Sequence, residues 1–112
     1  MQSSYDKIQY YKITQERKNS IIARLQKQFA DNTQVKRAWL FGSVTRRENV
    51  RDIDVAIHAE PEFEFDEFLD LNVQIEMALR IPTDLVEIAK VPESLKNNIL
   101  KNGIPIKETK RP

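Results

Sequence analysis

Two aspartates one residue apart, Asp52 and Asp54, have the clearest capacity for chemistry in this 112-residue chain. They lie in an alternating run from Arg51 to His58, in which Ile53, Val55 and Ile57 face one way and Asp52, Asp54, Ala56 and His58 face the other. Residues two apart in a strand share a face, so both carboxylates project from the same side of a rigid element. Like charges held that close repel, and keeping one of them neutral by burial raises its pKa. A divalent cation resolves the conflict more simply. Mg²⁺ takes hard oxygen ligands and is commonly held by one or two carboxylates together with substrate phosphates. The plain alternative is a solvated strand face that happens to carry two acids.

The surroundings favour the cation. An apolar run, Trp39-Leu40-Phe41, delivers the chain to Gly42-Ser43. Glycine lets the backbone approach a ligand closely, and serine at a turn offers a hydroxyl and backbone N–H groups to a phosphate. A Gly-Ser pair alone is a common turn, but this one is followed nine residues after Ser43 by Asp52. Together they describe a pocket with phosphates on the turn and metal ions between phosphates and aspartates. Asp84, after Pro82-Thr83 and before Leu85-Val86-Glu87-Ile88, is the third piece. By itself it is a capping or solvated residue. Beside the other two it completes a two-metal site or orients an attacking hydroxyl.

Elements that could position these residues follow from periodicity. Thr14 is a candidate N-cap for a helix whose Ile21, Ile22, Leu25 and Phe29 form one apolar stripe, ended by Asp31-Asn32. Val35 to Phe41 reads as a strand, and Val44 to about Val50 as a polar loop. After Glu60-Pro61-Glu62, residues 65–79 read as a helix. Its expected core stripe is Phe65, Phe68, Leu69, Val73 and Met77, with Asp66, Glu67, Asp70 and Glu76 largely outside. Asp84 to Ile88 reads as a third strand, and Pro92 opens a short helix to Lys101. Asn102-Gly103 stops that helix, with Gly103 expected in the left-handed conformation. Ile104-Pro105-Ile106 is an edge segment, because proline cannot donate within a central strand. The order α-β-β-α-β-α-β predicts an α+β fold, a small mixed β-sheet covered by helices. Residues 1–112 make one domain, with residues 1–13 as an N-terminal arm or an extension of the first helix.

At these residues the sequence resembles a known family. The stretch AWLFGSVTRRENVRDIDVAI, Ala38 to Ile57, is similar to the signature of the DNA polymerase β-like nucleotidyltransferases. TDLVEIAKVPESLKNNILKNGIPI, Thr83 to Ile106, resembles the C-terminal part of the minimal nucleotidyltransferases (MNT), which include the antitoxins of HEPN–MNT toxin–antitoxin pairs. The resemblance implies the polymerase β-like palm fold. It implies that Gly42 and Ser43 hold a triphosphate, that Asp52 and Asp54 ligate one or two Mg²⁺ ions, and that Asp84 is the third metal-site carboxylate and assists the acceptor hydroxyl. A hydroxyl would attack the α-phosphorus of an NTP and release pyrophosphate. In the antitoxin group the donor is ATP and the acceptor a tyrosine of the HEPN toxin. Two positions depart from the pattern: Arg47 stands where relatives often have a second glycine, and Arg51 where they often have serine. The loop also looks about two residues short. Arg46, Arg47 and Arg51 could compensate by pairing with the triphosphate, or they form a solvated loop of mixed charge. The second outcome would leave a catalytically weak module that neutralises a partner by contact.

Composition bounds the rest. The net charge of +1 gives no evident nucleic-acid groove. No apolar run is long enough to span a membrane, and the N-terminus lacks an apolar signal region. The chain has no cysteine, which suits a reducing cytoplasm and excludes thiolate metal sites. With no room for a separate acceptor domain, the acceptor site is expected on a partner protein or across a homodimer face. His58 lies roughly 13 Å along the strand from Asp54, too far to share its metal. Trp39 is expected in the core, with base stacking as the lesser reading. Tyr5, Tyr10 and Tyr11 are expected to pack along an N-terminal helix, and the acidic run Glu60, Glu62, Glu64, Asp66, Glu67 to be a solvated helix start.

Overall fold

The computed structural model describes residues 9–108. In chain order the elements are β1 (Tyr11–Lys12), α1 (Gln15–Ala30), β2 (Val35–Phe41), a 3₁₀ turn (Gly42–Thr45), β3 (Asn49–Val50), β4 (Ile53–Ala59), α2 (Phe65–Leu79), β5 (Thr83–Glu87), a second 3₁₀ turn (Ile88–Lys90), α3 (Glu93–Asn102) and β6 (Ile104–Glu108). The main sheet has the order β5-β4-β2-β6. β4 runs antiparallel to β2 and parallel to β5, and β6 lies antiparallel on the other side of β2. This is the expected mixed sheet, with the proline-bearing β6 at an edge.

Alternation sends the two faces of the sheet into two cores. Ala38, Leu40, Ile53, Val55, Ile57 and Leu85 pack against α1 and α2. Trp39, Phe41, Ala56 and Ile88 pack with Ile99 of α3. Trp39 is thus a core residue as expected, with the Arg37 guanidinium 4.7 Å from its ring centre. α1 starts where the cap predicts: Thr14 Oγ1 accepts from the Arg17 backbone N–H at 3.1 Å. Beyond local backbone donors, two carbonyls at its C-terminal end gain a further donor from far along the chain. Lys107 Nζ donates to Phe29 O at 2.7 Å and Asn32 O at 3.0 Å, which ties the last strand to the first helix.

Three expectations are corrected. Tyr11-Lys12 belongs neither to a loose arm nor to a helix extension: it pairs with Asn49-Val50 as a two-stranded ribbon, and Ile13 behind it is buried. The polar loop is therefore pinned at both ends, with Val44 and Val50 buried and β3 held against β1. Tyr10 is exposed rather than packed on a helix, and Tyr5 lies outside the described residues. Gly103 is extended (φ −69°, ψ 155°), not left-handed. Glycine is needed there for space, since a Cβ would stand 2.5 Å from Ile99 O. The third correction concerns α2. Its core face is Leu71, Ile75 and Leu79 with Phe68 at the margin, whereas Phe65, Leu69, Val73 and Met77 face outward. α2 carries two apolar ladders, and periodicity does not say which one meets the sheet.

α2 ends at Arg80, a non-glycine residue in the left-handed region (φ 60°) whose backbone N–H donates to Glu76 O. Glycine adopts this conformation without steric cost. We expect Arg80→Gly to raise stability by about 0.5–1 kcal/mol. Lys107→Met, which removes the charged donor from the carbonyls of Phe29 and Asn32 and leaves them backbone N–H donors alone, should lower it by about 1–2 kcal/mol. Urea denaturation of both variants checks the two signs.

Candidate active site

Local structure brings the three aspartates to one end of the sheet. The chain leaves the small ribbon at Val50, bends through Arg51-Asp52 and enters the main sheet at Ile53, whose N–H donates to Pro82 O at 2.9 Å. Asp52 therefore sits in the bend just before the strand, and only Asp54 is on β4. Parallel pairing of β4 with β5 sets Asp54 beside Asp84 in register. Adjacent strands lie about 4.8 Å apart, so these carboxylates are direct neighbours. The start of β5 is fixed from α2: Glu76 Oε1 accepts from the Thr83 N–H at 2.9 Å, and Thr83 Oγ1 donates to Ile81 O. Glu76, expected on the outside, is half-buried and does this positioning.

Gly42 occupies the other side. Its φ of +80° is in the region glycine favours, and a Cβ on it would stand 2.2 Å from Asp54 Oδ2. The Gly-Ser turn is thus pressed against the central carboxylate, with no space for any other residue type. The turn is closed by its own bonds. The backbone N–H groups of Arg46 and Arg47 donate to Ser43 O at 2.9 and 2.8 Å, and Thr45 Oγ1 donates to Gly42 O at 2.7 Å.

The electrostatics follow from this crowding. The Asp54 carboxyl is pushed up to about 6, first by burial and then by the negative charges of Asp52 and Asp84. Among the described residues, no three acidic or histidine side chains close on one point as a finished cation cage. The aspartates form instead a partly exposed acidic rim, with Asp52 and Asp54 half-buried and Asp84 exposed. This donor set fits Mg²⁺: the oxygens are hard, the rim leaves room for further ligands, and the central carboxylate is short of compensating positive charge.

Next to the turn is a cavity of about 350 Å³, lined by Phe41, Gly42, Thr45 and Arg46 on one side and by Asn98 and Asn102 of α3 on the other. Arg46 is brought to this cavity. Arg47 and Ser43 are not in its wall, although both belong to the same turn. Asn98 and Asn102 escaped the sequence reading. The available signal was their spacing of four on a helix, which puts two amide side chains on one face. His58 is where it was expected, at the surface and away from the aspartates, with Nε2 2.9 Å from Glu60 Oε1.

A palm-like mixed sheet that sets a Gly-Ser turn against three aspartates defines a nucleotidyltransferase. The polymerase beta, nucleotidyltransferase family matches residues 23–112, and the chain belongs to that family. Solved structures share the fold. A chain of a toxin–antitoxin crystal structure with AMP-PNP aligns at 24% identity and TM-score 0.69, over 80% of this chain and 74% of that one. A complex of tri-AMPylated Shewanella oneidensis HEPN toxin with MNT antitoxin aligns at 23% and 0.66, over 81% and 72%. The MntA–HepT toxin–antitoxin structure aligns at 22% and 0.65, over 81% and 73%. No curated protein sequence matches the chain. Among the described residues no helix is long and apolar enough to cross a membrane.

Two substitutions test this geometry. In metal-free buffer, charging Asp54 costs folding energy, because its folded-state pKa lies above its unfolded one. Stability should therefore fall as the pH rises from 4 through about 6. Asp54→Asn removes the cost, and should be more stable than the parent at pH 8 by about 1 kcal/mol once solvent screening is allowed for. The two proteins should converge at pH 4. Gly42→Ala should melt several degrees lower, since it adds a clash to an unfavourable φ. Thermal denaturation at both pH values in EDTA reads all of these.

Proposed function

We propose that this chain is a Mg²⁺-dependent nucleotidyltransferase that moves AMP from ATP to a hydroxyl of a partner protein, a tyrosine of a HEPN-type toxin, and so acts as an antitoxin in a reducing cytoplasm. The observation that carries the proposal is the close approach of Gly42 to Asp54 with Asp84 in register alongside. A turn pressed against a carboxylate that lacks countercharge is where a metal-bound triphosphate would relieve the most repulsion. The antitoxin role and the acceptor rest on the likeness to HEPN–MNT complexes.

In this reading Asp52, Asp54 and Asp84 would hold Mg²⁺, which when bound neutralises triphosphate charge and lowers the barrier to displacement at phosphorus. The turn at Gly42-Ser43 cradles the phosphates, and Arg46 and Arg47 add positive charge at its exposed end. Asn98 and Asn102 line the cavity for the nucleoside. The acceptor hydroxyl oxygen forms a bond to the α-phosphorus as the bond to the bridging oxygen breaks, and pyrophosphate leaves. Asp84, the most exposed of the three aspartates, receives the hydroxyl proton or passes it to solvent. Most of the catalytic effect comes from positioning and charge.

A second reading is supported by the outward apolar ladder of α2. In that reading the chain neutralises a partner by contact and catalyses poorly. Titration calorimetry of Mg²⁺–ATP separates the two. Wild type should bind only with Mg²⁺, and Asp54→Asn should lose at least tenfold in affinity. Labelled ATP should then mark the HEPN partner in a wild-type mixture but not with Asp54→Asn. A folded wild type that binds no NTP sinks the enzymatic reading, and neutralisation of the partner's activity retained by Asp54→Asn would favour the second.

A further inference from the structure

On the sheet face opposite the aspartates, at the far end of β5, lies a pocket of about 330 Å³ lined by Phe63, Phe65, Phe68, Glu87 and Lys90. Thr83, Leu85 and Glu87 alternate toward α2, and Asp84 points away from them. Glu87 is only 9% exposed, and its Oε1 is buried with no hydrogen-bond partner. A buried carboxylate oxygen without a partner is costly. Lys90, at the mouth, does not satisfy it: its ammonium is taken by Glu62. Burial raises the Glu87 pKa, and the charge of Lys90 only opposes that rise. Three phenylalanines around an unmet carboxylate are the surroundings in which a guanidinium or ammonium group is held by ring faces and charge together.

The pocket continues into the outer face of α2. Phe65, Leu69, Val73 and Met77 recur every fourth residue there and are 77%, 44%, 54% and 73% exposed. An apolar ridge of this kind marks an interaction surface. Its charge selects the occupant. From Glu60 to Leu79 there are seven acidic residues and no lysine or arginine. A second copy laid on this face would set one acidic segment against another, so charge disfavours self-association and favours a basic partner.

We propose that the outer face of α2 docks a basic amphipathic helix of a partner protein, with one arginine or lysine entering the Phe63–Phe65–Phe68 pocket to pair with Glu87. The proposal rests on the preceding reading only in requiring a protein partner. The surface lies on the opposite face of the sheet from the aspartates, so docking leaves the nucleotide cavity open. Hydrophobic contact along the ridge supplies area, and the buried ion pair fixes register.

The probe is a helical peptide of leucine and arginine with leucines every third or fourth residue, compared with the same peptide carrying citrulline for arginine. Two-dimensional amide NMR of the full chain follows the titration. The arginine peptide should shift α2 from Phe65 to Met77 together with Glu87 and Lys90, saturably, and the citrulline peptide should bind at least tenfold more weakly. Glu87→Gln and Val73→Asp should each weaken the arginine peptide about tenfold, leaving Mg²⁺–ATP binding unchanged. Val73 is exposed, so that variant folds even if Glu87→Gln does not. Equal binding of the two peptides, no binding, or equal binding to wild type and Val73→Asp overturns the proposal. So does concentration-dependent self-association of the chain that Val73→Asp abolishes, which would make a second copy the occupant. Peptide binding is read without nucleotide, so failure of the catalytic reading and failure of this one are distinguishable.

Discussion

Contact between the Gly42 backbone and the Asp54 carboxylate constrains the rest of the molecule. The two are brought together because β2 ends where β4 begins: in the antiparallel pair, Phe41 lies opposite Asp54. A turn that leaves β2 at this point must pass over the carboxylate, and only a residue without a Cβ and with a positive φ can do so. β4 then carries Asp54 between β2 and β5, which places Asp84 at its other flank. Three negative groups around one end of a sheet are not a comfortable arrangement, as the raised pKa of Asp54 records. The fold tolerates this because Ile53, Val55 and Ile57 on the same strand are fully buried in the main core.

Supporting contacts reach the site from every layer. Glu76 on α2 holds the N–H of Thr83, one residue from Asp84. The β1–β3 ribbon and the buried Val44 and Val50 fix the loop that carries Arg46 and Arg47. α3 closes the other face through Ile99 against Trp39, and so brings Asn98 and Asn102 to the cavity beside Gly42. A short loop without a second glycine is therefore compatible with a defined turn. Beyond Gly42 its conformation comes from bonds to Ser43 O and from anchored ends rather than from a second glycine.

The two faces of the sheet divide the work. One carries the aspartates and the cavity. The other carries α2, whose surface combines an apolar ladder, an acidic lead-in and a buried acid without a partner. A helix apolar on both flanks can pack on its own sheet and still present an apolar surface, as the proposed docking requires. In the proposed function, a domain that acts on a partner protein needs both surfaces available at once, and the sheet between them keeps them apart.

Much of this was legible in the sequence, for local reasons. Alternation in residues 53–57 marks a strand with one buried face, and the spacing of Asp52 and Asp54 puts two acids at its start. Thr14 caps α1, Pro105 confines β6 to an edge, and Gly42-Ser43 after an apolar run marks a turn. Each depends on neighbours within a few residues. Tertiary structure alone decided the rest, because each remaining feature joins segments far apart in the chain. Pairing of β4 with β5 set Asp84 beside Asp54, and Lys107 found the end of α1. Tyr11 paired with Val50, and Asn98 and Asn102 came to face Gly42. The face of α2 shows the limit most plainly: two apolar ladders were written in the helix, and only docking on the sheet determined which was core and which was surface.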